Sequence, residues 1–308
     1  MKIMITGANG FIGKSLCGSL PQYLDSPELM AVVRNATSPA EVSVGNIDSD
    51  TNWKPLLAGV DAVVHAAAQA SVSNTRPESI WQTNVLGTLN LAQQAAKAGV
   101  KRFVFLSSVK VHGESSKTGE PFTEGSPKRP EDLYAQSKLA AEEGLLSLAQ
   151  DSKMDVVILR LPLVYGPGVK GNFCLMMDWV KKRVPLPLGM LGNQRSLLSV
   201  GNLVDVVGLC LNHPDAANEA FLVADGYDLS TTELLKMLGV ACDKSPRLLP
   251  VPASLLNLTG VMLGKGEMVR RLTGNLQLDI SKARQQLGWR PPLTLTQSFK
   301  ALSQKVDT

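Results

Sequence analysis

The first thirteen residues, MKIMITGANGFIG, constrain this chain more than any later stretch. Ile3, Met4 and Ile5 form a short apolar run that suits a buried parallel strand, and Lys14 to Leu20 reads as a helix. The turn between them is rich in glycine. A strand that ends in such a turn and opens a helix suits a pyrophosphate. Gly7 permits the tight turn, Gly10 lets the backbone approach the phosphates, and Gly13 lets the helix pack close to the sheet. The helix N-terminus offers unpaired N–H groups and partial positive charge to the anion. The spacing is G-x-x-G-x-x-G, one residue wider at its start than the common dinucleotide fingerprint, so the rest of the chain must support the reading.

It does so by alternation. Leu29 to Val33 is a second apolar run, Val42 to Ile47 a short third, Val60 to Ala68 a fourth that ends in small residues, Lys101 to Leu106 a fifth and Asp155 to Arg160 a sixth. Helical patterns lie between them: a short one over Trp53 to Leu57, a long one over Ile80 to Ala98 closed by Gly99, and another over Tyr134 to Ala149. Such spacing predicts an α/β protein with a doubly wound parallel (Rossmann) sheet covered on both faces. Beyond residue 168 the alternation stops. The expected division is a cofactor-binding domain over 1–168, with 200–212 crossing back to it. A smaller mixed α/β lobe then comprises 169–199 and 213–308. At the end of the second run stands Arg34, where an acidic residue would bind a ribose 2′-OH; an arginine there can pair with a 2′-phosphate instead, which favours NADP(H) slightly over NAD.

A net charge of +4 is too mild to indicate a nucleic-acid partner and suits a phosphate-bearing substrate. Cys17, Cys174, Cys210 and Cys242 lack C-x-x-C spacing and read as reduced core residues; with isolated His65, His112 and His213 they suggest no metal site. The most apolar late stretch, Leu248 to Leu263, is interrupted by Pro250, Pro252 and Asn257 and is too short to span a bilayer. With no leader-like segment, a cytoplasmic protein without a membrane partner is expected.

The chemistry resides in Tyr134-Ala135-Gln136-Ser137-Lys138, which sets a phenol and an ammonium on one face of one helix. A lysine cation beside a phenol lowers its pKa toward working pH, and the phenol can then exchange a proton with a carbinol. Ser108 ends the fifth strand and could bond the same substrate oxygen.

These motifs, with His65-Ala66-Ala67-Ala68, Asn84 to Thr88, Leu163 to Gly168 and Leu287-Gly288-Trp289, resemble the extended short-chain dehydrogenase/reductases over nearly the whole chain. The similarity is to their nucleotide-sugar epimerase/dehydratase/reductase branch. It implies a catalytic triad of Ser108, Tyr134 and Lys138. The cofactor would be NAD(P), held by Gly7, Asn9, Gly10, Phe11, Ile12, Arg34, Asn46, Ile47, Ala66, Ala67, Ala68, Asn84, Tyr134, Lys138 and Pro162. It further implies a UDP-sugar substrate bound by Ser108, His112, Tyr134, Asn172 and Arg195, and a homodimer built on the helices 80–98 and 134–149. The 4,6-dehydratases of the branch carry an Asp-Glu pair after the catalytic Ser/Thr. Val109 and Lys110 stand here, which disfavours dehydration. The expected function is hydride transfer at C4 of a UDP-hexose or UDP-N-acetylhexosamine for polysaccharide precursors. It leans toward a 4-keto-sugar reductase, with a 4-epimerase that retains NAD as the alternative. A non-catalytic NAD(P)-binding regulator is the alternative of another class. Neither the sugar nor the choice between NAD and NADP follows from the residues.

Overall fold

The computed structural model describes residues 1–70 and 76–302. Strands β1 (Lys2–Thr6), β2 (Glu28–Val33), β3 (Glu41–Ser43), β4 (Ala62–His65), β5 (Arg102–Ser108), β6 (Asp155–Leu161) and β9 (Glu219–Leu222) form one parallel sheet in the order β3-β2-β1-β4-β5-β6-β9. The order reverses between β1 and β4, the switch point at which such sheets open a crevice at their carboxyl ends.

Successive side chains of a strand face opposite layers, and here both layers are apolar. Ile3 and Ile5 of β1 join Val104 and Leu106 of β5 beneath α1 (Phe11–Ser19) and α6 (Val200–Asn212). Met4, Phe103 and Phe105 point the other way, toward α3 (Thr88–Lys97) and α4 (Leu133–Gln150). The helix α6 is the crossing-back segment; it packs against α1. A second sheet holds β7 (Leu163–Tyr165), β8 (Arg195–Ser199) and β10 (Asp228–Leu229) in the order β10-β8-β7, parallel between β7 and β8 and antiparallel between β8 and β10. It anchors a smaller cluster with α5 (Asn172–Lys181) and α7 (Thr231–Ala241). One strand of the stretch assigned by sequence to the smaller lobe, β9, pairs in parallel with β6 in the large sheet.

Two local readings need correction. Trp53 to Leu57 is a single turn, not a helix; the fully buried Trp53 ring anchors the segment to the core. The long helix before Gly99 is also not uniform. It comprises α2 (Pro77–Trp81), a π-helical segment Gln82–Gly87 and α3, with Asn84 inside the wide turn.

Candidate active site

The turn after β1 behaves as its glycines require. Gly7 sits at φ +69°, and a Cβ there would lie 2.8 Å from the Ala67 backbone. A Cβ at Gly13 would collide with the Gly7 carbonyl oxygen, so α1 can approach the sheet only without one. Gly10 is the N-cap of α1, with no side chain capping it and no acidic residue in the first turn, so the helix end is free to receive an anion. Above it opens a cavity of about 400 Å³. Its lining includes the sequence-predicted Gly7, Asn9, Gly10, Arg34, Ile47, Ala66, Ala67 and Ala68, together with Val32, Val33, Asn35, Gly45 and Thr83, which sequence reasoning did not name. Arg34 is exposed at its rim, and among the described residues no acidic residue lines it. Size, anion-ready backbone and cationic rim all fit a dinucleotide of the NAD(P) kind.

Other predicted cofactor residues lie around this cavity rather than in its lining. Phe11 and Ile12 begin α1, Asn46 is exposed beside Ile47, and Pro162 is buried between β6 and β7. Asn84 is turned inward: its amide accepts from the Gln69 N–H at 2.8 Å and donates to the Gln69 carbonyl at 3.1 Å and to Ser137 Oγ at 3.0 Å. It ties the loop after β4 to α4, one residue from Lys138. Beneath the same loop His65 is fully buried. Thr88 Oγ1 donates to the Asn84 carbonyl and so accepts from His65 Nε2, leaving Nδ1 to accept from Thr6 Oγ1 at 2.7 Å. Burial, reinforced by the Lys138 charge, lowers the His65 pKa to about 3.

The carboxyl end of β5 and the first turns of α4 bring the proton-handling groups to one place. Asp132 caps α4 by accepting from Ala135 N at 2.7 Å, and Tyr134 follows in the first turn. Lys138, buried one turn on, donates to the Leu106 carbonyl at 2.8 Å and lies 4.3 Å from the Phe105 ring centroid. Burial lowers its pKa to about 7, against the opposing pull of Glu142. The expectation that Lys138 depresses the phenol is not met in this arrangement. Burial, with the Asp132 charge, pushes Tyr134 up to about 12, while the Lys138 ammonium is turned to the Leu106 carbonyl. Ser108, the last residue of β5, is buried, and its hydroxyl accepts from Lys110 N at 3.2 Å. Lys110 donates to Glu114 at 2.6 Å and to Asp132 at 2.9 Å, pinning the end of β5 to the start of α4.

Sequence reasoning missed the support beneath these groups. Glu142, one turn past Lys138, accepts from Ser107 Oγ at 2.5 Å and is clasped by Arg160 of β6 through Nε and Nη2, at 3.1 and 2.7 Å. Both charged side chains are almost wholly buried. The Y-x-x-x-K spacing extended by one further turn, Tyr134–Lys138–Glu142, is the signal that could have found it. His112, expected to touch substrate, is instead part of this support. The short turn after β5 carries its ring inside, 2% exposed, against Phe122 and within 3.3 Å of Arg160 Nη1 and 3.2 Å of Lys128 Nζ. Burial and those two cations lower its pKa to about 4.

On the far side of the crevice, Asn172 is exposed at the first position of α5, after Gly171 at φ +69°. Arg195 opens β8; its Nη1 donates to the Gly274 carbonyl at 3.1 Å, and burial lowers its pKa from the ordinary arginine value. Glu114 links the two sides, since it also faces Arg271 at 3.7 Å, three residues before Gly274.

A Rossmann sheet, an anion-ready glycine turn and a tyrosine–lysine helix define the class of NAD(P)-binding short-chain dehydrogenase/reductases. The chain belongs to the NAD dependent epimerase/dehydratase family, whose model matches residues 3–224. It is 45% identical over 310 residues to a UDP-glucose 4-epimerase of Vibrio cholerae, covering 98% of this chain and 94% of that one. A GDP-6-deoxy-D-mannose reductase of Pseudomonas aeruginosa is 26% identical over 312 residues, 98% and 95% of the two chains. Among solved structures, a UDP-glucose 4-epimerase of Thermus thermophilus in complex with NAD shares the fold at a TM-score of 0.78, with 24% identity and 98% of both chains covered. The protein is thus an NAD-dependent enzyme of the nucleotide-sugar epimerase/reductase group.

Proposed function

We propose that the chain is a 4-keto-sugar reductase that acts on a UDP-hexose or UDP-N-acetylhexosamine with NADP(H). Arg34 carries this reading: it stands at the rim of the dinucleotide cavity, whose lining among the described residues holds no carboxylate to select a free 2′-OH. The nicotinamide, when bound, carries the hydride. Gly7, Asn9 and Gly10 would hold the pyrophosphate on their backbone, Arg34 the 2′-phosphate and Lys138 the nicotinamide ribose. Tyr134 and Ser108 would both hydrogen-bond the oxygen at C4. With its pKa raised, Tyr134 is protonated at neutral pH, the form that gives a proton to a carbonyl oxygen as it is reduced. Asn172 and Arg195 are the candidate diphosphate contacts, Arg195 having the planar fork suited to paired phosphate oxygens. Val109 and Lys110 supply no acid and base for dehydration, and Lys110 is held in ion pairs.

A second reading, a UDP-hexose 4-epimerase that retains NAD, is favoured by the 45% identical Vibrio cholerae relative of that name. One experiment separates the two. The purified protein is examined for a co-purifying nicotinamide signal and then supplied with UDP-sugars. NADPH consumed only with a 4-keto sugar supports the reductase; UDP-glucose and UDP-galactose types interconverted without added cofactor replace it with the epimerase.

We assign residues 1–168 and 200–212 to the cofactor lobe and the remainder, β9 excepted, to the sugar lobe. Exposed Trp81 and Leu86 on the helix before Gly99 support a homodimer through that helix and α4, which sedimentation at micromolar concentration tests.

A further inference from the structure

The apolar stretch that is too short to span a bilayer has a conspicuous place in the fold. Ala253–Met262 forms α8, Gly266–Thr273 forms α9, and the two pack as a tight antiparallel hairpin. Its inner face is closely fitted: a Cβ at Gly260 would lie 2.6 Å from Val269, and Leu256 and Ala253 rest on the core of the smaller lobe. Its outer face is not covered. Leu255, Leu258, Val261, Met262 and Leu263 are 49–77% exposed on a segment (253–263) with no charged residue, and Met268 of α9 is exposed beside them. Large apolar side chains gathered on one exposed element are uncommon on a monomer and mark a surface of interaction. The hairpin also lies outside the residues matched by the family model.

The charges at its tip and end indicate what that surface meets. Lys265 in the connecting turn and Arg270 on α9 are exposed, and among the described residues neither is paired with a carboxylate; Glu267 is taken up by Arg271 at 2.6 Å. An apolar face bordered by unneutralised cations complements a bilayer surface that carries anionic phospholipid. A second copy of this face would offer those cations no free carboxylate, since Glu267 is the one acidic residue of 253–273 and is paired with Arg271.

We infer that the α8–α9 hairpin is an interfacial anchor, which seats this protein peripherally on an anionic membrane through Leu258, Val261, Met262 and Arg270. The base of the hairpin leads directly to the crevice: Gly274 follows α9 and holds Arg195, and Arg271 faces Glu114 beside Lys110. An anchored hairpin therefore sets the mouth of the sugar site at the bilayer surface. The anchor does not depend on the choice between reductase and epimerase.

The test is flotation of the whole protein with phosphatidylcholine vesicles, with and without phosphatidylglycerol. Binding should require phosphatidylglycerol, weaken with salt, and fall about tenfold or more in Leu258→Glu/Met262→Glu and in Arg270→Glu. Thermal melting and turnover of a soluble UDP-sugar should be unchanged in Leu258→Glu/Met262→Glu, since both side chains are exposed and belong to no part of the candidate site. No flotation by the wild-type protein, or equal flotation by the variants, overturns the inference. So does a wild-type dimer that Leu258→Glu/Met262→Glu converts to a monomer without any vesicle binding, because the face would then belong to a second copy.

Discussion

The two sides of the crevice are built in different ways. On the cofactor side the candidate site is mostly backbone: a glycine turn, a helix end and a strip of small residues. On the sugar side the candidate contacts are side chains brought from α5 and β8, with Arg195 of β8 held by the Gly274 carbonyl, distant in sequence. A backbone site is written into spacing and tolerates few residues; a side-chain site is written into packing and tolerates many. This difference is why family membership is plain while the sugar is not.

Four substitutions or conditions would break or sharpen the contrast. The largest effect is expected from Tyr134→Phe, which keeps the shape but removes the proton. Turnover should fall by about 10²–10⁴-fold, while nicotinamide binding, read by fluorescence, stays near wild type. Full turnover in this variant would remove Tyr134 from the mechanism.

Next comes the support beneath the reacting groups. Glu142→Ala strands Arg160 as a buried, unpaired cation and should cost about 3–5 kcal/mol in urea unfolding. Glu142→Gln, which can still accept from Ser107 Oγ, should cost less. Equal stability of both variants and wild type would mean that the pair is not held as described.

The third effect follows from pH. His112 is neutral when folded, with a pKa near 4 against about 6.5 when unfolded, and His65 is lower still. The unfolded chain therefore binds protons that the folded one refuses. Stability should be complete above pH 6.5 and decline as pH falls through 6.5 toward 4. For His112 alone the loss is about 3 kcal/mol, at about 1.4 kcal/mol per pH unit. Chemical denaturation across that range measures it, and His112→Phe should flatten part of the slope. Lys138 works in the opposite range. Its pKa is lowered on folding, so its burial becomes less costly as pH rises from about 7 toward 10.5.

The smallest effect concerns the cavity rim. Arg34→Ala should weaken NADPH relative to NAD by about ten- to a hundredfold, the value of one charge-assisted contact, as measured by the ratio of kcat/KM for the two. An unchanged ratio would leave Arg34 as an ordinary exposed strand-end residue.

Much of this architecture was legible in the sequence because parallel strands buried on both faces read as apolar runs, and Gly7 and Gly13 have few substitutes. What escaped was what depends on meeting a distant segment. Arg160 looks like the end of a strand until Glu142 is seen against it, and His112 looks like a substrate contact until the turn after β5 carries it inward. Leu248 to Leu263 shows its composition in the sequence but not its exposure. The Trp53 turn and the π-helical segment escaped for a local reason, since each deviates by a few dihedral angles from a pattern the periodicity still suggests.

The π-helical segment Gln82–Gly87 has one more consequence, for how this chain can change length. A π turn holds one residue more than an α turn. Removing a single residue from the wide turn, so that it rewinds as ordinary α-helix, would therefore leave Leu91, Ala92 and Ala95 facing the core, while Asn84 would lose its hold on Gln69 and Ser137. The segment is thus an absorbed extra residue, and a one-residue deletion within it should disturb the loop after β4 more than the packing of α3.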